Sequence, residues 1–205
     1  MAAHWWLDWS AILVLFIGAY LAGSISSAVL VCRLLGYPDP RDVGSHNPGA
    51  TNVLRVAGKP AAALTLAGDV LKGVIPVLLA RLIGLSPLVA AITGLLAVIG
   101  HIYPIFFQFR GGKGIATAFG LIFVLNWQVG LMVGAIWLAI FGSSRVSSLA
   151  SMLAFIALPA LIWWREAVIF WPLLALTLVV LWRHQDNIKR LLRGEEGSFR
   201  KMNGE

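Results

Sequence analysis

The chain has 205 residues, of which 59% are hydrophobic and only 12% charged, and its mean hydropathy is +0.84. Soluble domains carry about 25% charged residues, so this composition excludes a soluble protein and predicts an integral membrane protein. We attribute the formal net charge of +7 first to basic cytoplasmic loops, and then to binding of anionic lipid or phosphorylated substrates, rather than to nucleic-acid binding. Cys32 is the only cysteine, which excludes an internal disulfide.

Apolar runs of helical length follow one another along the chain, and the first is long enough to remain as a span. The run 114–142 is too long for one span, because as a helix it would measure about 44 Å against a hydrocarbon core of about 30 Å. Asn126-Trp127-Gln128 lies in its middle, and we expect the chain to turn there. The predicted spans of the single domain 1–205 are 10–35, 61–84, 87–109, 114–126, 128–142, 147–164 and 166–183.

The distribution of basic residues favours seven spans over six. With seven, only Arg81 and Arg165 lie on one side of the membrane, Lys72 lies within a span, and the other Lys and Arg residues share the opposite side. With six, Arg145 and the basic tail would lie outside. The positive-inside rule therefore predicts an all-α integral membrane fold of seven transmembrane helices, with the N-terminus outside and the C-terminus cytoplasmic.

The seven-span arrangement places the unusual polar stretches on the cytoplasmic side. They supply glycines, hydroxyls, amides and cations with few acids, which is the chemistry that binds phosphate. Ordinary positive-inside loops with turn glycines are the alternative interpretation of any one of them. The stretches are RDVGSHNPGATNVLRVAGK at 41–59, RGGKG at 110–114, GSSRVSS at 142–148 and RHQDNIKRLLRG at 183–194.

Several familiar sites are excluded by spacing. GSHNPGAT resembles a nucleotide phosphate-binding loop, but Ala50 replaces the lysine and no strand is predicted before it. The histidines and the cysteine show no metal-ligand spacing, and no serine lies in G-x-S-x-G. No histidine is followed five positions later by an aspartate, the dyad of many glycerolipid acyltransferases. We expect no metal and no cofactor.

Individual polar residues carry two interpretations each. Asp69 and Lys72 share a helix face, which favours a structural ion pair, although Lys72 facing an anionic pocket is the alternative. His101 is more typical of an interfacial histidine than of a catalytic one. Lys113 lies among open glycine backbone and favours phosphate binding. His184 and Asn187 begin a helix closest to the membrane, whereas the basic residues further along the tail, Lys189, Arg190 and Arg193, are expected to contact lipid headgroups.

The sequence resembles the acyl-phosphate-dependent glycerol-3-phosphate acyltransferases of bacterial membranes. The matching stretches, in the same order as in the family, are GSHNPGATNVLR at 44–55, GDVLKG at 68–73, GHIYPIFFQFRGGKG at 100–114 and HQDNIKRLLRG at 184–194. His46 departs from the family pattern, which usually has glycine there, and Pro60 departs from the usual glycine after the Gly-Lys pair.

The resemblance implies a seven-span fold in the cell (inner) membrane with an active site facing the cytoplasm. It implies acyl transfer from acyl phosphate to the 1-hydroxyl of glycerol 3-phosphate, giving lysophosphatidic acid and phosphate. Membrane lipids are further expected partners, and no obligate protein partner is expected.

The resemblance and the side-chain chemistry together assign the site residues. Catalytic roles are assigned to Ser45, Arg55, Lys113, His184 and Asn187. Binding of substrate phosphate and glycerol is assigned to Gly44, Asn47, Gly49, Thr51, Asn52, Gly111, Gly112, Gly114, Arg145, Ser148 and Ser151. Supporting roles are assigned to Asp69, Lys72 and His101.

Two functions of other classes compete with the enzyme. A transporter or channel for an organic phosphate would suit short spans and a charge pair in a membrane helix, but the outer face offers almost no polar loop. A lipid-binding scaffold would use the basic tail.

Overall fold

The computed structural model describes residues 9–197, which are helical and contain no strand. The chain forms two compact units, 1–125 and 126–205. The described part of the first contains α1 (Trp9–Gly23), α2 (Ser27–Leu34), α3 (Ala50–Leu82), α4 (Pro87–Ile102), a 3-10 turn (Ile105–Phe107) and α5 (Ile115–Leu125). That of the second contains α6 (Trp127–Ser144), α7 (Ser147–Glu166), a 3-10 turn (Ala167–Ile169), α8 (Phe170–Arg183) and α9 (Gln185–Leu192).

The first predicted span, 10–35, is not one continuous helix. It breaks between α1 and α2, whose axes differ by 44°. Gly23 ends α1 in direct contact with α4, and a Cβ at this position would overlap the Ala97 backbone. The two helices together still pass as one candidate span by length and composition, and the bend between them was not predicted because composition does not reveal close packing between helices.

The predicted loop 36–60 contains a helical segment, because α3 begins at Ala50. Gly58, with φ 81°, interrupts α3 and separates this short segment from the long apolar part. Val53 and Ala57 are buried at i, i+4 spacing in a cluster with Cys32 of α2. Pro60 lies directly after the interruption, in the first turn of the long segment, where a proline costs no intrahelical hydrogen bond.

The fourth and fifth predicted spans correspond to two separate helices, α5 and α6. Asn126 lies between α5 and α6, and its side-chain oxygen accepts a hydrogen bond from Val129 N at 3.1 Å. Asparagine is a favoured N-cap residue, so the polar triplet in the middle of the apolar run ends one helix and begins the next.

The third predicted span ends early. α4 stops at Ile102 rather than at residue 109, because Pro104 disfavours helical geometry at the residue before it. Gln108 and Phe109 then take left-handed backbone conformations, both with φ 58°.

The last two predicted spans correspond to α7 and α8, which pack together, with the Thr177 hydroxyl donating to Phe155 O at 3.1 Å. By length and composition, 4 helical stretches among the described residues can cross a membrane, or up to 5 if α1 and α2 form one span. Ser147–Arg183 counts there as one stretch, although the turn at Ala167–Ile169 separates α7 from α8. The protein is therefore a multi-pass membrane protein.

Candidate active site

The polar loop before α3, residues 40–49, is organised by Asn52, and we call it the Asn52 loop. The Asn52 side chain is fully buried. Its Oδ1 accepts from Ser45 N at 2.8 Å, and its Nδ2 donates to Pro40 O at 2.9 Å and to Val43 O at 3.0 Å. Asn52 therefore shapes the loop, and its amide is already used inside the protein.

Two positions of the Asn52 loop need left-handed backbone. Gly44 has φ 65° and His46 has φ 57°. Glycine adopts this region without strain, and histidine is one of the few other residues enriched there. The departure at His46 therefore keeps the loop conformation at some cost in strain, and the His46 Nδ1 lies 3.3 Å from Arg41 O.

Candidate phosphate ligands lie along this loop and the short helix that follows it. Ser45 is exposed, and Asn47 and Gly49 are half-buried. Thr51 and Arg55 are half-buried as well and lie on the same helix face at i, i+4. Because Gly49 is the N-cap, the loop leads directly into a helix N-terminus, which favours anions.

Two arginines join the Asn52 loop to the segment after α4. Arg41 forms an ion pair with Asp39, with Nη2 and Oδ2 2.7 Å apart, and donates from Nη1 to Phe107 O at 3.1 Å. Arg110 donates to Arg41 O and to Asp42 Oδ1, both at 3.2 Å. The hydrogen bond from Arg41 holds the pKa of Asp39 below its ordinary value, against the opposing effect of burial. The first two polar motifs are thus neighbours.

RGGKG at 110–114, the glycine loop, lies against His101 at the end of α4. Gly112 N donates to His101 O at 3.2 Å. A Cβ at Gly111 would overlap that carbonyl oxygen, and a Cβ at Gly112 would overlap His101 Nε2. Gly114 has φ 80° and accepts from Ala118 N at 2.8 Å, so this loop also leads into a helix N-terminus, that of α5. Lys113 is half-buried between these glycines.

Asp69, Lys72 and His101 form a buried charged group inside the first unit. The expected ion pair is confirmed, with Lys72 Nζ 2.8 Å from Asp69 Oδ1. Lys72 Nζ also donates to Ile25 O at 2.9 Å, in the break between α1 and α2. His101 Nδ1 lies 3.6 Å from Asp69 Oδ1.

In the second unit, the candidate polar side chains gather around an acid. Ser148 Oγ and Asn187 Nδ2 each donate to Glu196 Oε1 at 2.6 Å, and Arg190 Nε donates to Oε2 at 2.7 Å. We call these residues the Glu196 cluster. Although burial opposes it, hydrogen bonds from Ser148, Asn187 and Arg190 hold the pKa of Glu196 below its ordinary value. Glu196 was not predicted from the sequence, in which the acidic pair of the basic tail, GEEG at 194–197, is its only signal.

The remaining candidates of the second unit have defined local roles. His184 is buried, with Nδ1 2.8 Å from Val180 O. Arg145 is exposed and caps the end of α6 in a left-handed conformation, with φ 57°. The Ser151 hydroxyl donates to Ser147 O at 2.8 Å and accepts from Trp137 Nε1 at 3.1 Å. Within residues 9–197, no group of three His, Cys, Asp or Glu side chains has the arrangement that a metal ion needs.

Comparison with known proteins identifies the family. Residues 13–194 match the sequence profile described as glycerol-3-phosphate acyltransferase. The chain belongs to this family. Glycerol-3-phosphate acyltransferases from Pectobacterium carotovorum (52% identical, covering 88% of this chain and 86% of the relative) and Idiomarina loihiensis (48% identical, covering 92% and 96%) are similar along nearly their whole length.

The fold of this chain is similar to that in solved structures of PlsY, an integral membrane glycerol 3-phosphate acyltransferase. The glycerol 3-phosphate form gives a TM-score of 0.88 at 41% identity, covering 92% of this chain and 96% of that one. The lysophosphatidic acid form gives 0.86 at 40% identity, covering 92% and 95%.

Proposed function

We propose that this protein transfers a fatty acyl group from acyl phosphate to the 1-hydroxyl of glycerol 3-phosphate, giving lysophosphatidic acid and phosphate. The observation that best supports this function is the contact between the Asn52 loop and the glycine loop in the first unit. Each of these loops leads into a helix N-terminus, beside Arg55 and Lys113 respectively. Family membership supports the same reaction, because PlsY was solved in glycerol 3-phosphate and lysophosphatidic acid forms.

The chemistry requires positioning and charge neutralisation more than a strong base. The glycerol 1-oxygen forms a bond to the acyl carbon, the bond from that carbon to the phosphate oxygen breaks, and phosphate leaves with the electron pair. We assign Arg55 and Lys113 to neutralise the phosphates and backbone N–H groups of the two loops to orient them. Ser45, Asn47 and Thr51 are assigned to the glycerol and phosphate oxygens, and Asn52 is assigned to hold the loop.

We propose that a phosphate oxygen of a substrate accepts the proton of the glycerol 1-hydroxyl. His184 is the protein group to test against this, because its Nδ1 faces a carbonyl oxygen and must donate, which leaves the lone pair of the neutral ring on Nε2. His184→Gln should lower turnover yet keep the fall in rate at low pH in the pH–rate profile. Loss of that acidic limb without weaker substrate binding would identify His184 as the base instead.

We further propose seven spans, with the N-terminus outside and the candidate residues facing the cytoplasm of the inner membrane. The separate helices α5, α6, α7 and α8 and the bias of basic residues to one side support this topology. Cysteines introduced at residues 127 and 190 into a Cys32→Ala background should label from opposite faces. Labelling from the same face would contradict the topology.

We propose that the whole chain acts as one acyltransferase domain, because the family match extends over residues 13–194. We assign the exposed basic residues of the tail, Lys189, Arg190 and Arg193, to anionic lipid headgroups. The Arg190 contact with Glu196 leaves Lys189 and Arg193 as the better test of this assignment.

A donor comparison tests the proposed reaction. Purified protein in lipid vesicles receives labelled glycerol 3-phosphate with acyl phosphate, acyl-CoA or acyl carrier protein. We expect lysophosphatidic acid to form with acyl phosphate as the donor, and not with acyl-CoA or acyl carrier protein. Uptake of glycerol 3-phosphate into the vesicles without product would instead establish a transporter.

A further inference from the structure

The buried charged group of the first unit must offset a large cost. Asp69, Lys72 and His101 are 2%, 7% and 7% exposed, and Asp69 and Lys72 lie within a candidate span. A charge inside a membrane helix costs about 2.5–3.5 kcal/mol on insertion scales, and such groups are usually functional or paired. The ion pair with Asp69 offsets the charge of Lys72, but Asp69 has a second neighbour, His101.

Lys72 has a structural task at one end of this group. Its Nζ bridges Asp69 Oδ1 and Ile25 O, at 2.8 and 2.9 Å. The carbonyl of Ile25 lies in the break between α1 and α2, where the helical ladder is interrupted. Lys72 therefore stabilises the break, and Asp69 balances its charge.

His101 connects Asp69 to the glycine loop at the other end. The two nitrogens of its ring have different neighbours, with Nδ1 3.6 Å from Asp69 Oδ1 and Nε2 against Gly112, where a Cβ would overlap it. The His101 carbonyl also accepts from Gly112 N at 3.2 Å. A shift of this ring towards Gly112 would displace the backbone there, next to Lys113.

We propose that Asp69 is a positioning residue for glycerol 3-phosphate binding, acting through the His101 ring to fix the backbone of the glycine loop. This inference rests on the proposed function, because it assumes that the glycine loop binds substrate phosphate. Asp69 touches no substrate. Its effect is to hold the ring in the orientation in which Nε2 packs closely against Gly112.

Asp69→Asn keeps the shape of the side chain and removes its charge. We expect the KM for glycerol 3-phosphate to rise about tenfold or more with a much smaller change in kcat, since the loop is displaced and not removed. Thr93→Val is the matched control, because Thr93 is equally buried in α4 and bonds only within its helix, to Val89 O at 2.8 Å. It should leave KM within twofold.

A double-mutant cycle with Gly112→Ala tests the pathway itself. If Asp69 acts through the ring against Gly112, the double variant Asp69→Asn/Gly112→Ala should raise KM little more than the worse single variant does. The pair Thr93→Val/Gly112→Ala should be additive. An unchanged KM in Asp69→Asn, or additivity between Asp69→Asn and Gly112→Ala, would overturn the proposal.

A second variant separates a loss of stability from the positioning role by removing both charges of the buried pair. Asp69→Asn alone leaves Lys72 buried without its carboxylate, so Asp69→Asn/Lys72→Met, which removes both charges, should recover part of the lost melting temperature, although the hydrogen bond to Ile25 O stays absent. If its KM remains raised, the positioning role holds, and if KM returns to the wild-type value, only charge balance mattered and the proposal is wrong. Should wild-type protein form no lysophosphatidic acid, the proposed function fails separately, and the Kd for labelled glycerol 3-phosphate in the same variants decides the positioning role.

Discussion

The two units satisfy their polar side chains in different ways. In the first, Asn52 bonds only backbone groups of its own loop, and Arg41 and Arg110 join that loop to the glycine loop. In the second, Ser148, Asn187 and Arg190 all donate to one carboxylate, that of Glu196. A polar residue in one of these motifs can therefore build a loop, bind a ligand or hold a neighbouring segment, and the partner of each hydrogen bond indicates which.

The largest loss of activity is expected from substitution of the cations of the first unit, Lys113 and Arg55. Lys113→Ala and Arg55→Ala should each reduce kcat/KM by about 100-fold or more, because they neutralise charge on the phosphates, while membrane expression stays near that of the wild type. Initial rates of lysophosphatidic acid formation at equal protein give the measurement. The exposed Lys59→Ala is the control, and full activity in either site variant would remove that residue from the site.

A somewhat smaller effect is expected from breaking the Asn52 loop. Asn52→Asp keeps the acceptor for Ser45 N and replaces the donor facing Pro40 O and Val43 O, so two carbonyls lose their hydrogen bonds. Each loss costs about 1–3 kcal/mol, and about 2–4 °C in Tm is expected per kcal/mol, with activity reduced along with it. Ser45→Ala retains the backbone N–H and should leave Tm unchanged. Equal Tm values for wild type and Asn52→Asp would contradict the organising role.

The Glu196 cluster predicts a pH-dependent stability. Since the pKa of Glu196 is lowered in the folded protein, its ionised form stabilises the fold above its ordinary pKa, and this contribution is lost as pH falls through the folded value. Glu196→Gln should therefore lower Tm at neutral pH by an amount that shrinks as pH falls through and below the ordinary glutamate pKa of about 4.3. A Tm difference independent of pH would show that the carboxylate charge does not hold the cluster.

The smallest expected effect is at His46. His46→Gly removes left-handed strain of about 1–2 kcal/mol but adds about 0.5–1 kcal/mol of glycine entropy cost, so Tm should rise by only a few degrees at most. Turnover should stay within twofold. His46→Val is the control and should lower Tm, because a β-branched residue is strained at φ 57°. A loss of stability in His46→Gly would mean that the contact with Arg41 O outweighs the strain.

Features that depend on local sequence could be predicted. Asn126 interrupts an apolar run, and asparagine is a favoured N-cap, so the boundary between α5 and α6 follows from composition alone. The polar loops followed from their glycines and hydroxyls, and the pairing of Asp69 with Lys72 followed from i, i+3 spacing.

Features that depend on packing could not be predicted in this way. The close contact of Gly23 with Ala97 is one such feature, and the helix at Ala50 was hidden because its apolar residues, Val53 and Ala57, lie in a polar motif. The role of Glu196 could not be predicted because its donors come from α7 and α9. The connection from Asp69 through His101 to Gly112 likewise joins α3 to the end of α4 and the loop that follows it.

Formation of lysophosphatidic acid by the purified protein is the most direct test of the proposed reaction. Wild-type protein in lipid, given acyl phosphate and labelled glycerol 3-phosphate, should form labelled lysophosphatidic acid and release phosphate in equal amounts, and Lys113→Ala at the same protein concentration should form almost none. No labelled product from the wild-type protein, or equal product from Lys113→Ala, would contradict the account.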